Sequence, residues 1–299
     1  MLIIGSRGSQ LALWQANWVK DQLASRGEEC RIEVIHTTGD RIAGVPLPQV
    51  GAKGIFTREI EEALIEGRID MAVHSLKDLP TELPAGLTIA AVPPREDARD
   101  ALIGYKLHDL PRYSTVGTSS PRRAAQLKAI RPDLRIESVR GNLDTRLRKR
   151  EEGQYDAIVL AAAGLKRLGW HDRITELLPP DVMCPAVGQG ALAIETREDK
   201  GAGYTAARML NDNRTAICVA AERTLLAALG GGCQAPLGAY ARKDNLLHIQ
   251  AAVVSPGGGQ IVRKKTSGDP RHPEKIGERL AQILLDSGAA GILRQVHGQ

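Results

Sequence analysis

The stretch Ile3-Ile4-Gly5-Ser6-Arg7-Gly8-Ser9 sets how the rest of the chain is read. It passes from two β-branched residues through small polar ones into Ala12, Ala16, Val19 and Leu23 at helical spacing. The pattern predicts strand, tight turn, helix. Such a turn presents backbone N–H groups at a helix N-terminus, where an anion gains both hydrogen bonds and the helix dipole. Arg7 adds a planar pair of donors suited to a carboxylate, although a solvated arginine on a tight turn would leave the same residues. The theme then recurs: Thr115-Val116 leads through Gly117-Thr118-Ser119-Ser120-Pro121-Arg122-Arg123 to a helix through Leu127, with Pro121 suited to a first helical turn. Two copies of strand, turn, arginine and helix predict two α/β lobes related by a loose duplication.

Between the copies, residues 31–36 read as a second strand, and the Pro- and Gly-containing segment after Thr37-Thr38-Gly39-Asp40, as far as Lys53-Gly54, reads as a mobile loop. A helix is predicted over 57–66, ended by Gly67, and a buried strand over 69–73. That strand delivers His74-Ser75-Leu76-Lys77-Asp78 at its C-terminal end, where open α/β sheets hold ligands. Asp78 beside Lys77 is compatible with an ordinary surface ion pair, but Leu79-Pro80 makes the turn a rigid mount for a carboxylate. After a strand over 87–92, Pro93-Pro94 marks a hinge.

In the second lobe a strand over 136–139 delivers Arg140-Gly141-Asn142, and the next helix carries Arg146 along with Arg148, Lys149 and Arg150, the last three read as a solvated face. The apolar run 157–163 leads to Gly164-Leu165-Lys166-Arg167, read as one more strand end bearing cations. Pro179-Pro180 and Cys184-Pro185 break the pattern again, and Val187-Gly188-Gln189-Gly190-Ala191 starts a return crossing. Two lobes joined by two crossings predict a cleft. The expected domains are 1–94 with a return segment 187–210, 95–186, and a C-terminal unit 211–299. In the last, strands over 237–241, 246–254 and 260–265, turned at Gly257-Gly258-Gly259, predict a small antiparallel sheet, with helices over 215–229 and 273–287.

The C-terminal unit has one conspicuous loop, Gly230-Gly231-Gly232-Cys233-Gln234-Ala235-Pro236. Three glycines leave the backbone bare, so the thiol of Cys233 is offered from a turn just past a helix C-terminus. That end of the dipole disfavours a thiolate, so activation has to come from elsewhere. Taken alone, a cysteine is more often a buried structural residue.

Composition sets the outer limits. Of the 299 residues, 25% are charged and 42% hydrophobic, which describes a globular chain with no apolar run long enough for a membrane span. The opening lacks the lead-in of a secretory signal, so a cytoplasmic location is expected. Cys30, Cys184, Cys218 and Cys233 show no metal-site spacing. The net charge of +5 tolerates anionic partners, but aromatic residues make up only 3%, too few to stack bases, and nucleic acid is not expected. Arg7, Arg122, Arg123, Arg140, Arg146 and Arg167 fall on strand ends and helix starts in both lobes. Arginine at so many turns points to bidentate recognition of a ligand with several carboxylates or phosphates. No Walker or dinucleotide fingerprint accompanies them.

Several stretches, in order, carry a resemblance: Ser9-Gln10-Leu11-Ala12-Leu13-Trp14-Gln15, Gly51-Ala52-Lys53-Gly54-Ile55-Phe56, His74 through Pro80, Val116-Gly117-Thr118-Ser119-Ser120, Arg140-Gly141-Asn142, Pro185 through Gly190, and Glu222-Arg223 ahead of the Cys233 loop. Over essentially its whole length the chain resembles the porphobilinogen deaminase family. It departs at Ala235, where a branched residue is usual, and at Pro121, where leucine is common. Both are packing or capping positions.

The resemblance implies two lobes like those of periplasmic binding proteins, with a hinge, plus a C-terminal α+β domain. It implies a monomeric transferase that condenses four porphobilinogen molecules into hydroxymethylbilane with loss of ammonia. It also implies a dipyrromethane cofactor joined to Cys233 by a thioether. Residue by residue, it gives Asp78 and Lys77 the catalytic role. Cofactor binding falls to Lys77, Asp78, Ser119, Arg122, Arg123, Arg140 and Arg146, and substrate binding to Arg7, Ser9, Lys53, Phe56, Arg140, Arg146 and Arg167, with no metal. A two-lobed binding protein for a small polycarboxylate fits the arginines equally well but leaves the presented cysteine unexplained.

Overall fold

The computed structural model describes residues 1–38, 57–230 and 236–297, without the side chains of 296 and 297. Two compact units emerge, Met1–Glu96 with Ala191–Ala216 and Asp97–Gly190 with Ile217–Gln299.

In the first unit β1 (Leu2–Ser6) runs parallel to β2 (Cys30–Val34) and to β3 (Met71–Ser75). With β4 (Leu87–Ala91), and with β10 (Leu192–Arg197) inserted antiparallel between β3 and β4, the sheet order is β2-β1-β3-β10-β4. Helix α1 (Gln10–Ala24) lays Ala16, Val19 and Leu23 on Ile4, Met71 and Val73. Helix α2 (Arg58–Ile65) lays Ile60, Ala63 and Leu64 on Ile69 and Ala72, on the other face. Cover on both faces explains why the inner strands are buried without alternation. Gly67, at φ 72°, ends the turn after α2 in a backbone region costly for other residues.

The second unit repeats the plan. β6 (Thr115–Gly117) runs parallel to β7 (Arg135–Glu137) and β8 (Ala157–Ala161), and β5 (Asp100–Ile103) lies antiparallel between β8 and β9 (Glu176–Leu178), giving β7-β6-β8-β5-β9. In each sheet the antiparallel strand is the one the chain enters on leaving the other unit. The repeated motif has a repeated cap: Ser9 accepts from the Ala12 N–H at 3.3 Å at the start of α1. Ser120 accepts from the Arg123 N–H at 3.4 Å at the start of α3 (Pro121–Ile130). β5 and β9 were not foreseen, since four and three residues show no period. The expected strand over 157–163 stops at Ala161, where α5 (Ala162–Arg167) begins; Lys166 and Arg167 therefore lie on the last turn of a helix and not on a strand end.

The same unit contains the antiparallel sheet β11 (Leu237–Lys243), β12 (Leu247–Val254) and β13 (Ile261–Gly268). Past α6 (Ala202–Arg208) of the first unit comes α7 (Asn213–Ala228), and the core of this sheet takes Ala221, Leu225 and Leu229 from that helix and the residue just beyond it. It takes Ile276, Leu280 and Leu284 from a helix over Pro273–Leu284. Gly288, at φ 100°, kinks the chain into a further helix, Ala290–His297, beyond the predicted end at 287. This sheet is fastened to the second lobe. Arg263 donates to Pro180 O at 3.0 Å, and Ala252 and Val254 pack with Ala125 and Cys184. The turn glycine Gly258 sits so close to α3 that a Cβ there would lie 2.5 Å from Ala129 N.

Candidate functional site

The parallel pairing of β1 with β3 brings the turns that follow them to one end of the first sheet. After β1 come Arg7, half-buried, and Ser9, whose hydroxyl is engaged as the cap of α1. After β3 the chain makes a single 3-10 turn, Leu76–Asp78. Leu76 and Leu79 are buried on either side of that turn, and the Leu76 N–H donates to Ala191 O at 3.0 Å, continuing the pairing with β10 past the strand end. Lys77 is left half-buried and Asp78 exposed, a carboxylate on a rigid mount. On the face toward α1, Gln15 Nε2 donates to Ser75 Oγ at 2.9 Å.

In the second lobe the turns after β6 and β7 are joined. Ser119 Oγ lies 2.8 Å from Ser138 Oγ and donates to Val139 O at 2.7 Å. Arg140 and Arg146 flank the turn into α4 (Leu143–Glu151), with Arg146 Nε donating to Gly141 O at 2.7 Å and Lys149 Nζ to Arg140 O at 3.3 Å. Gly141, at φ 111°, leaves no room for a side chain, because a Cβ would meet Thr145 Cγ2 at 2.6 Å. Ser119, Arg140 and Arg146 thus gather at the C-terminal end of parallel strands, and Arg167 Nη2 reaches Gly190 O at 2.8 Å.

Arg122 and Arg123 were expected at the same edge as donors to a ligand. The structure instead buries both around Asp100. Arg122 Nη1 reaches one Asp100 oxygen at 2.7 Å and Cys184 O at 2.6 Å; Arg123 Nε reaches the other oxygen at 2.9 Å, and its Nη1 reaches Val159 O at 3.0 Å. Gln189 Nε2 completes the set, donating to Asp100 at 3.0 Å and to Ala98 O at 2.7 Å. Burial alone would raise the Asp100 carboxyl, but the two guanidiniums and these hydrogen bonds hold it down to about 2. Positions two and three of a helix starting at Pro121 point inward here because Asp100 opens a strand that the sequence did not reveal. Asp100 and Gln189 were missed for the same reason.

Glu222, quoted only as part of a motif, is fully buried and accepts from the Gly188 N–H at 2.8 Å and the Ala241 N–H at 2.7 Å, tying α7 to the return segment and to β11. Cys184 is also buried, which pushes its thiol up to about 12 and leaves it inert. Lys53, Phe56 and Cys233 lie outside the described residues. Among the described residues no helix is long and apolar enough to cross a membrane, and no group of His, Cys, Asp and Glu is arranged to hold a metal.

Comparison with known proteins agrees with the sequence resemblance. Residues 2–203 match the family model described as "Porphobilinogen deaminase, dipyromethane cofactor binding domain", and residues 216–286 match "Porphobilinogen deaminase, C-terminal domain". The porphobilinogen deaminase of Geobacillus kaustophilus is 49% identical over 302 residues, 99% of this chain and 97% of that one. That of Syntrophobacter fumaroxidans is 47% identical over 300 residues, 98% and 97% of the two chains. That of Gloeobacter violaceus is 49% identical over 306 residues, 99% and 93%. With both models in order and near full-length relatives at this identity, the chain belongs to the porphobilinogen deaminase family.

Proposed function

We propose that Asp78 is the carboxylate on which the chain performs its reaction, the condensation of four porphobilinogen molecules into hydroxymethylbilane with release of ammonia. Loss of ammonia from the aminomethyl group leaves a methylene-pyrrolenine cation whose charge is shared with the ring nitrogen. A fixed carboxylate beside that N–H stabilises the cation more than the neutral ground state, which is the condition for lowering the barrier. The free α-carbon of the terminal pyrrole of the growing chain then attacks the methylene, a carbon–carbon bond forms, and the proton displaced from the α-carbon is lost with help from the same carboxylate. Lys77, a charged amine, orients Asp78 or holds a substrate carboxylate.

The observation that carries this reading is the mount of Asp78: an exposed carboxylate on a one-turn helix pinned by buried Leu76 and Leu79 and by the bond to Ala191 O. Each unit brings donors suited to carboxylates to its own strand ends, Arg7 in the first and Ser119, Arg140 and Arg146 in the second. We assign these residues to substrate and cofactor carboxylates, with Lys53 and Phe56 added by resemblance. Arg122 and Arg123 then serve chiefly by fixing the turn that carries Ser119. The dipyrromethane cofactor, attached in this reading through Cys233, supplies the pyrrole α-carbon from which the chain grows. The functional division is read as 1–94 with 187–210, 95–186 and 211–299. The enzyme is taken as a cytoplasmic monomer without nucleic-acid or membrane partners.

The test is Asp78→Asn. It is expected to fold and to lose turnover by at least about a hundredfold, typical when one preorganised electrostatic partner is removed. Single-turnover ammonia release near the wild-type rate would overturn the assignment.

A further inference from the structure

On the face of the first sheet covered by α2, three titratable side chains that the reaction does not use lie together. His74 of β3 and Glu195 of β10 share that face, because Ala193 pairs with His74 and Glu195 stands two residues further along the same strand. His74 Nε2 and Glu195 Oε2 approach to 3.0 Å, with side chains 5% and 0% exposed. Glu61, in the first turn of α2, is 7% exposed, one helical turn on from Thr57, which precedes the helix. Glu61 Oε1, both Glu195 oxygens and His74 Nε2 have no aligned hydrogen-bond partner among the described residues, although the His74–Glu195 distance is that of an ion pair. Buried polar atoms left in this state are costly unless something else neutralises them.

We propose that Glu61, His74 and Glu195 share one buried proton and together clamp the end of β3, so that their charge state sets the placement of Asp78. The last step rests on the reading of Asp78 given above. Two carboxylates and one imidazole in a dry space are least costly with a single added proton. It resides on Glu61, leaving neutral His74 beside ionised Glu195, or on His74, leaving both glutamates ionised around an imidazolium. Both arrangements carry a net charge of −1. Loss of that proton leaves two buried negative charges side by side.

The position makes the charge state matter. His74 is one residue from Ser75, which Gln15 holds from the other face, and two residues from Leu76, whose N–H extends the pairing to Ala191. The strand end that launches Lys77 and Asp78 is therefore gripped from both faces, and one grip can titrate. Burial is the main cause that pushes the Glu61 carboxyl above its ordinary range; Thr57 and His74 oppose it, and Glu195 and Glu62 add to it. These groups come from α2 and the residue before it, from β3 and from β10. A raised carboxyl makes its full contribution to stability below its unfolded value and loses it as pH rises through the folded one. Repulsion between Glu61 and Glu195 thus grows on the alkaline side.

The experiment compares the holoenzyme with its Glu61→Gln and Glu195→Gln variants, measuring the thermal midpoint, kcat and KM for porphobilinogen across pH. Glutamine at 61 has no proton to lose, so the alkaline fall in both midpoint and kcat is expected to shrink in that variant, with KM moved less than twofold. Glu195→Gln is expected to lower kcat several-fold across the range. Profiles of Glu61→Gln that superimpose on those of the wild type would overturn the proposal. A midpoint that shifts while kcat does not would overturn the link to Asp78. If Glu61→Gln does not fold, the wild-type protein carries the test; its thermal midpoint and kcat are expected to fall together as pH rises, and a kcat that falls while the midpoint holds would sink the idea. Failure of the Asp78 assignment appears separately, as near wild-type turnover in Asp78→Asn whatever the Glu61 profile.

Discussion

The arginines of the two lobes look alike in sequence and divide into two kinds once folded. Arg140 stands half-buried at the head of a turn, with its backbone carbonyl held by Lys149. Arg122 is buried against Asp100. Arg140→Leu is therefore expected to cost a charge-assisted contact of about 1.5–3 kcal/mol, roughly ten- to hundredfold in kcat/KM, with the thermal midpoint almost unchanged. Arg140→Lys should recover only part of it, because a point charge lacks the planar fork. Arg122→Leu should instead lower the midpoint, since it leaves a buried carboxylate with one cation fewer. An Arg140→Leu enzyme with wild-type kcat/KM would remove Arg140 from the ligand-binding set. At Cys233, intact mass decides: the active protein is expected to exceed its sequence mass by two linked pyrrole units, and Cys233→Ala to lack both the increment and the activity.

Among the elements, the turn between β12 and β13 does more than reverse the chain. Gly257, Gly258 and Gly259 look equivalent in sequence, yet only at Gly258 would a Cβ meet the backbone of α3, and φ there is 77°. Gly258→Ala is expected to destabilise by about 2 kcal/mol, from overpacking together with the left-handed backbone. Gly257→Ala, with nothing within 4 Å of the added carbon, should be close to neutral. Chemical denaturation of both variants checks the contrast, and equal midpoints would mean that the turn does not dock. The edge strand β13 bears Arg263, Lys264 and Lys265, charges that discourage pairing with another chain.

At the scale of the whole molecule, the chain passes three times between its two compact units, and the first two passages adjoin one buried network of the second unit. Asp100 follows the first passage and Gln189 precedes the second; they are bonded to each other and, through Asp100, to Arg122 and Arg123 of α3. Asp97 belongs to the same segment: burial works against its charge, but hydrogen bonds from Arg99 and Lys166 hold its carboxyl well below the usual range. Asp100→Asn is expected to destabilise by about 3–5 kcal/mol at neutral pH, because two guanidiniums lose their counter-charge. The wild-type carboxyl is depressed to about 2, so its contribution is complete above the ordinary carboxylate value and is lost as pH falls through about 2. The difference between wild type and variant should therefore narrow on the acid side. Thermal midpoints of both proteins between pH 2 and 7 would show it, and a gap independent of pH would mean that packing, not charge, accounts for the loss.

What the sequence determined by itself is local and periodic. The doubled motif of strand, small polar turn, arginine and helix could be read because its glycine, small polar residues and apolar period lie close together in the chain. The antiparallel C-terminal sheet and the rigid turn bearing Asp78 were legible for the same reason. Only tertiary structure decided which arginines face inward, because the partner that draws Arg122 and Arg123 is a carboxylate at the head of a four-residue strand more than twenty positions away. It alone assembled Glu61, His74 and Glu195, which come from three elements spread over most of the first unit. A buried charge is recognised by what surrounds it, and no spacing along the chain records those surroundings.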